Sequence, residues 1–347
     1  MRIRSGLEAT VISTAALLVS LALFGGFVAL RGLNPLDVYR ALLFGAFGNW
    51  FAIQFTLTQA APLMLTGLCT AIPARAGMLV IGGEGALVSG GVATVLAGTL
   101  LTGVPAPSGS PLLGAAGAAA GALWIGAAGA LRHWRGVNET ISTLLLNYIA
   151  IALMNHLVTG PIRDFAQVLK PASWSIPAAL RVGEMPGTSI HWGLAVGLLA
   201  CVLTWVLMRK TTFGFAADIL GGNVRAAQLA GLSVARIVLI TTGMAGAAAG
   251  LAGAVEVMAV HGFASASLVV GFGYTGILVA FLARQNPLAV VFVSVLLGGI
   301  SASGGLLQRR FGLPDAATLV FRGLLFVAVL ASSTLYGRFQ AFRQREP

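Results

Sequence analysis

Glu84, Glu256 and Asn147 lie inside long apolar runs of this sequence. An ionisable or amide side chain at membrane depth is costly and marks a site by default. Glu84 sits in ARAGMLVIGGEGALVSGG (74–91), with glycines at 77, 82, 83, 85, 90 and 91. So many glycines weaken a helix, and irregular backbone survives in a bilayer only where protein or a water-filled cavity surrounds it. Two chemistries fit Glu84. It lines a polar pathway for a solute, or its carboxylate accepts hydrogen bonds from nearby backbone N–H groups and holds a broken helix together. Glu256 is an acid that can carry a proton. Proton relays join several Asp, Glu and His residues, yet His133, His156, His191 and His261 fall at run ends or in loops, so no relay is visible. In VNETISTLLLNYIA (137–150), Asn138 reads as a helix N-cap with Glu139 favourable in the first turn. Asn147 then bonds across helices or faces a polar path.

Other chemistries find no support. The sequence has no HExxH, no GxSxG and no Cys/His cluster. Its two lysines, Lys170 and Lys210, follow Leu169 and Arg209, so the Gly-Lys-Ser/Thr of a phosphate-binding loop is impossible. Cys69 and Cys201 both fall in apolar runs and read as inert small core residues. We therefore expect no catalytic residue, no metal and no cofactor on this chain.

The elements that must position Glu84 and Asn147 are membrane helices. Of 347 residues only 9% are charged, and mean hydropathy is +0.92; soluble domains carry about 25% charged residues. Apolar runs repeatedly reach the roughly 20 residues that cross a bilayer. The expectation is an all-α polytopic membrane protein of about ten segments, near 9–30, 51–72, 76–100, 112–131, 140–159, 189–208, 237–260, 269–283, 287–306 and 317–335. The segment 269–283 is short enough to be re-entrant. The first run is too long for a secretory h-region and reads as a retained span. The net charge of +11 is scattered over loops, which argues against nucleic acid. Arg75, Arg132, Arg135, Arg209, Lys210, Arg225, Arg236 and Arg284, with the basic tails, favour both termini inside, while Arg309 and Arg310 fall outside. Residues 209–236 are then a cytoplasmic loop, and 160–188, with four prolines, a structured external one. GAAGAAAGALWIGAAGA (114–130) and Gly243, Gly246, Gly250 and Gly253 present small faces that let helices approach closely.

One polar insert interrupts the membrane pattern: GGNVRAAQLAGLSVAR (221–236). Its Gly222-Asn223, Ala226-Ala227 and Gly231 resemble the cytoplasmic coupling segment of ABC importer permeases of the ribose, nucleoside and branched-chain amino-acid group. RAGMLVIGGEG (75–85) resembles R-A-G-L-F-N-I-G-x-E-G of the nucleoside/simple-sugar branch. GVNETISTLLLNYIA (136–150) resembles N-E-x-I-S-T-L-M-L-N-Y-I-A, the most specific match. GFGYTGILVAFLARQNPLAVVF (271–292) resembles G-x-G-Y/F-x-G-I-A-V-A-L-L-G-x-N-x-P. Order and spacing agree over about residues 50–335. Two departures stand out: Val80 replaces the family's Asn, and Ala86 its Gln, which leaves the solute open.

The resemblance implies a single permease domain over 1–347 in a bacterial plasma (inner) membrane. It implies a separate ABC ATPase that uses ATP, an external substrate-binding protein and a second, different permease chain. It places Glu84, Asn147 and Tyr274 on the substrate pathway, and Gly222, Asn223, Ala226, Ala227 and Gly231 at the ATPase. Physically, a short helix there can offer Ala226, Ala227, Leu229, Ala230 and Leu232 to a hydrophobic groove, or lie on lipid headgroups. The competing function is a stand-alone proton-coupled carrier using Glu84 or Glu256. A scaffold without transport has no need of a glycine-broken membrane segment.

Overall fold

The computed structural model describes residues 2–101, 105–166, 170–314 and 316–333. Arg338, Arg343 and Arg345 of the basic tail, and the side chains of Arg2 and Arg4, lie outside the described residues. The elements are α1 (Arg2–Leu30), α2 (Pro35–Phe47), α3 (Trp50–Arg75), α4 (Gly83–Leu100), α5 (Ala106–Arg135), α6 (Glu139–Thr159), α7 (Gly193–Lys210), α8 (Thr212–Gly222), α9 (Val224–Leu229), α10 (Val234–Val255), α11 (Phe272–Leu282), α12 (Pro287–Phe311) and α13 (Ala316–Ser333). Among the described residues there is no strand, only isolated bridges. The chain is an all-α polytopic membrane protein. Every one of the ten expected segments carries a helix. Among the described residues seven helices are long and apolar enough to span by themselves, and α1 with α2 forms a pair bent by 116°.

Three local differences from the sequence expectation have physical causes. Residues 76–82 belong to no helix, and α4 begins only at Gly83, because Gly77 takes a φ of +73° and turns the chain out of α3. Helix α2 fills an expected loop; its 13 residues are too few to cross, and Asn34 caps Leu36 N (3.0 Å) before Pro35 at the first position. The loop 209–236 holds two helices, α8 and α9, joined at Asn223, whose side chain caps α9.

Contacts group the helices into two compact units. In the unit of Met1–Thr56 and Leu296–Pro347, α1 packs on α13, with Phe24 stacked on Phe321 at 4.6 Å between centroids. Tyr39 on α2 donates its hydroxyl to Leu21 O of α1.

The unit of Leu57–Val295 is built on α4, α5 and α10. Their backbones meet at glycines. A Cβ on Gly250 of α10 would press into Gly117 O of α5, and one on Gly90 of α4 into Gly250 O. Without a hydrophobic drive between helices in lipid, such close approach supplies dispersion contact. Gly246, Gly250 and Gly253 all serve this face, whereas a Cβ on Gly243 would meet nothing within 4 Å, so that residue is not part of it. Gly250→Val is therefore expected to lower stability by about 3 kcal/mol or more, since backbone cannot move aside as a side chain can, while Gly243→Ala stays near the parent. Thermal unfolding of the two variants in detergent checks this.

The segment 160–192 is structured over its described residues. Ser173 N donates to Ala264 O (2.9 Å), Ile176 N to Gly262 O (2.8 Å) and Val182 N to Met258 O (3.1 Å), which straps it over the end of α10. There α10 continues as a π turn, Glu256–His261.

Candidate functional site

The stretch 76–82 poses an accounting problem: Ala76, Gly77 and Met78 still donate to carbonyls of α3, but among the described residues Leu79 N and Ile81 N find no backbone acceptor. Helix α6 solves it with one row of side chains. Glu139, Thr143 and Asn147 stand four residues apart and so share a face. Leu79 N donates to Glu139 Oε1 (3.2 Å), Ile81 N to Thr143 Oγ1 (3.2 Å) and Gly85 N to Asn147 Oδ1 (2.7 Å). In return Thr140 Oγ1 donates to Leu79 O (2.9 Å) and Asn147 Nδ2 to Ile81 O (3.0 Å). The row takes the place of a neighbouring strand. Asn138 caps α6 by accepting from Thr140 N and Ile141 N, as its position predicts. Glu139 also pairs with Arg132 at the end of α5.

Glu84 solves a second problem. It lies in the first turn of α4, fully buried. Its Oε1 accepts from Gly271 N (2.8 Å) and its Oε2 from Gly273 N (2.6 Å), the residues that open α11. A carboxylate is thus held where two helix N-termini converge, the favourable end of each macrodipole for an anion. The approach is tight: a Cβ on Gly273 would collide with the backbone N of Glu84. Of the two chemistries open for Glu84, the hydrogen bonds are those of a carboxylate that accepts from backbone N–H groups, and they tie the start of α4 to the start of α11.

The three residues expected on the pathway are brought together. Asn147 Nδ2 stands 3.5 Å from the Tyr274 hydroxyl, and Tyr274 follows Gly273. Their exposure differs: Glu84 and Asn147 are wholly buried, while Tyr274 is 40% exposed, with Tyr148 exposed beside Asn147 in sequence. Val80 and Ala86 are also wholly buried, in one apolar cluster with Cys69, Ile125, Ala245 and Ala249. Of the two roles open to Asn147 in the sequence, a cross-helix bond or a path residue, it makes the cross-helix bonds. Thr143 is not singled out by the sequence argument; its position midway between Glu139 and Asn147 is the available signal. Glu256 Oε2 lies 3.7 Å from His261 Nε2, a titratable pair that linear spacing hides because the π turn brings them together.

The insert is anchored to the same extended stretch. Arg75 Nε and Nη2 donate to Asp218 Oδ1 and Oδ2 of α8 (2.9 and 2.8 Å), and Nη1 donates to Met208 O of α7 (3.2 Å). A two-pronged pair of this kind fixes direction as well as distance. Gly77 and Gly221 meet backbone to backbone. Ala76, Met78, Ala216, Ala217, Leu220, Ala227, Ile237 and Val238 form one buried cluster. Asn223 Oδ1 caps α9 by accepting from Arg225 N (2.8 Å) and Ala226 N (3.2 Å), and Gly231 ends the turn at φ +74°. Gly222 and Ala226 are exposed. One expectation is corrected. Ala227 is wholly buried and Leu232 packs on the same cluster, so neither is offered outward; Ala226, Leu229 and Ala230 are exposed as expected, Leu229 at 90%, and Val224 joins them.

The sequence profile of the family described as "Branched-chain amino acid transport system / permease component" matches residues 52–330. The chain belongs to that family. Its relatives include the glucose ABC transporter permease protein TsgB13 of Haloferax volcanii, 33% identical across 92% of this chain and 87% of that one. The guanosine ABC transporter permease protein NupP of Bacillus subtilis is 32% identical across 91% and 92%. The nucleoside ABC transporter permease protein NupB of Lactococcus lactis subsp. cremoris is 27% identical across 88% and 87%. This permease is accordingly a transport component and a multi-pass protein of the plasma (inner) membrane, similar to ABC permeases for nucleosides and sugars.

Proposed function

We propose that the chain is the transmembrane subunit of an ATP-driven importer of nucleosides or simple sugars. It works with separate ATPase chains, an external binding protein and a second, homologous permease. The observation that carries this reading is the continuous link from α9 to Glu84. Helix α9 shares a buried cluster with Ala76 and Met78, Arg75 grips α8, and the stretch 76–82 leads directly into α4 and the carboxylate that caps α11. A push on α9 therefore reaches Tyr274 through packed groups. With both termini inside, α8 and α9 face the ATPase in the cytoplasm, and 160–192 faces the binding protein. Tyr274, at the surface, is the pathway group that meets solute or the second permease. Valine at 80 and alanine at 86 act inside the subunit, so they tune packing near the path without touching the solute. The nucleoside or sugar class rests on the solutes named for the relatives.

Affinity capture of the tagged chain from its native membrane, with mass spectrometry of what accompanies it, tests the proposal. An ABC ATPase and a second permease are expected. Recovery of this chain alone, from an intact monodisperse preparation, together with solute uptake by it in liposomes under a pH gradient, supports instead the proton-coupled carrier. The Glu256–His261 pair is then its proton site, because Glu84 is committed to Gly271 and Gly273.

A further inference from the structure

Three arginines from distant parts of the sequence line one small polar pocket. Arg75 closes α3, Arg209 lies in the last turn of α7, and Arg284 stands in the turn between α11 and α12. With Gln285, Asn286 and Pro287 they line a pocket of about 110 Å³. A bias of basic residues towards one membrane face accounts for their side of the bilayer. It does not account for their lining one pocket, since like charges at short range repel.

The negative charge at hand is already engaged. Asp218 takes two of the Arg75 donors, and Met208 O takes a third. Arg209 is exposed and has no ion-pair partner among the described residues. Helix α12 starts at Pro287, so the positive end of its macrodipole adds to the same field. The turn that presents Arg284 is itself unusual. Arg284 and Gln285, at φ 51° and 58°, are the non-glycine residues with positive φ among the described ones. That conformation is unfavourable for residues with a Cβ, and here it sets two donor side chains in the pocket lining.

We propose that this pocket binds a phosphate-type anion, with Arg209 and Arg284 as its main donors and Arg75, fixed by Asp218, as its floor. The planar guanidinium fork matches phosphate oxygens in pairs. A pocket of about 110 Å³ has room for one phosphate group. The phosphate comes either from an anionic lipid headgroup at the membrane surface or from free inorganic phosphate. Its binding ties the ends of α3 and α7 to the turn before α12. The site is independent of which solute is carried.

The test uses the full chain in detergent and follows its thermal midpoint. The probes are inorganic phosphate, phosphatidylglycerol in mixed micelles, phosphatidylcholine in the same micelles, and sodium chloride at matched ionic strength. Phosphate or phosphatidylglycerol is expected to raise the midpoint by a few degrees, with phosphatidylcholine and sodium chloride flat. A response to phosphate alone identifies the free ion, and a response confined to phosphatidylglycerol identifies the lipid. Arg209→Gln and Arg284→Gln, both at exposed positions, should each raise the half-saturating concentration about tenfold or more, with Arg209→Lys in between. The proposal is overturned if neither probe moves the midpoint beyond the salt control, or if both Gln variants respond as the parent does.

Discussion

Glu84→Ala is expected to cost about 3–6 kcal/mol of stability and to abolish transport. The carboxylate is fully buried and takes Gly271 N and Gly273 N, one on each oxygen. Removing it leaves one buried and one half-buried donor without acceptors, at about 1–3 kcal/mol each, and frees the N-terminus of α11 from the anion that offsets its dipole. Such a loss is a large part of the roughly 5–15 kcal/mol that holds a typical domain together. Glu84→Gln separates this role from a proton-carrying one. A glutamine has one acceptor oxygen, and its NH₂ would face the second backbone N–H, donor against donor. It should therefore destabilise by about 2–4 kcal/mol by the same principle. Thermal unfolding in detergent reads the effect, with ATP-driven uptake measured on whatever folds. A Gln variant that unfolds like the parent and loses only a pH-dependent uptake would show that Glu84 carries protons and does not hold the fold.

What is legible in the sequence follows from how each feature is encoded. Membrane helices are legible because twenty apolar residues in a row admit few other structures. The break before α4 is legible because glycines cluster there. Which partners Asn147 bonds is not, because Ile81 and Gly85 are backbone groups more than 60 positions away, and backbone groups leave no trace in residue type. The same holds for Glu139. Its helix-end position explains it fully, so nothing points to Leu79 N as a second task. Inward and outward faces of α9 are also hidden. A helix of six residues is under two turns long, and its alanines fit either side equally well. Tertiary packing decides, and it places Ala227 inside while leaving Leu229 at the surface.

That division makes α9 a sharp test of the coupling proposal. Leu229→Asp changes a side chain that is 90% exposed, so the subunit should unfold within about 0.5 kcal/mol of the parent. If α9 seats in a groove of an ATPase, Leu229 is the apolar residue placed to be its anchor. A charge at such a buried anchor costs about 2 kcal/mol or more, roughly a thirtyfold loss of ATPase affinity. Co-purification of the ATPase and ATP-driven uptake should fall together while the spans stay intact. Ala227→Asp, on the inward side of the same short helix, should behave differently. It buries a charge among Met78, Ala217, Leu220 and Val238 and should damage the subunit itself. Comparing the two separates loss of docking from loss of folding. An α9 that lies instead on lipid headgroups would let Leu229→Asp retain its ATPase and its uptake, because Leu229 would then touch lipid and no ATPase; that result would remove α9 from the coupling path while leaving the Arg75–Asp218 anchor and the Glu84 cap to be explained as parts of the fold.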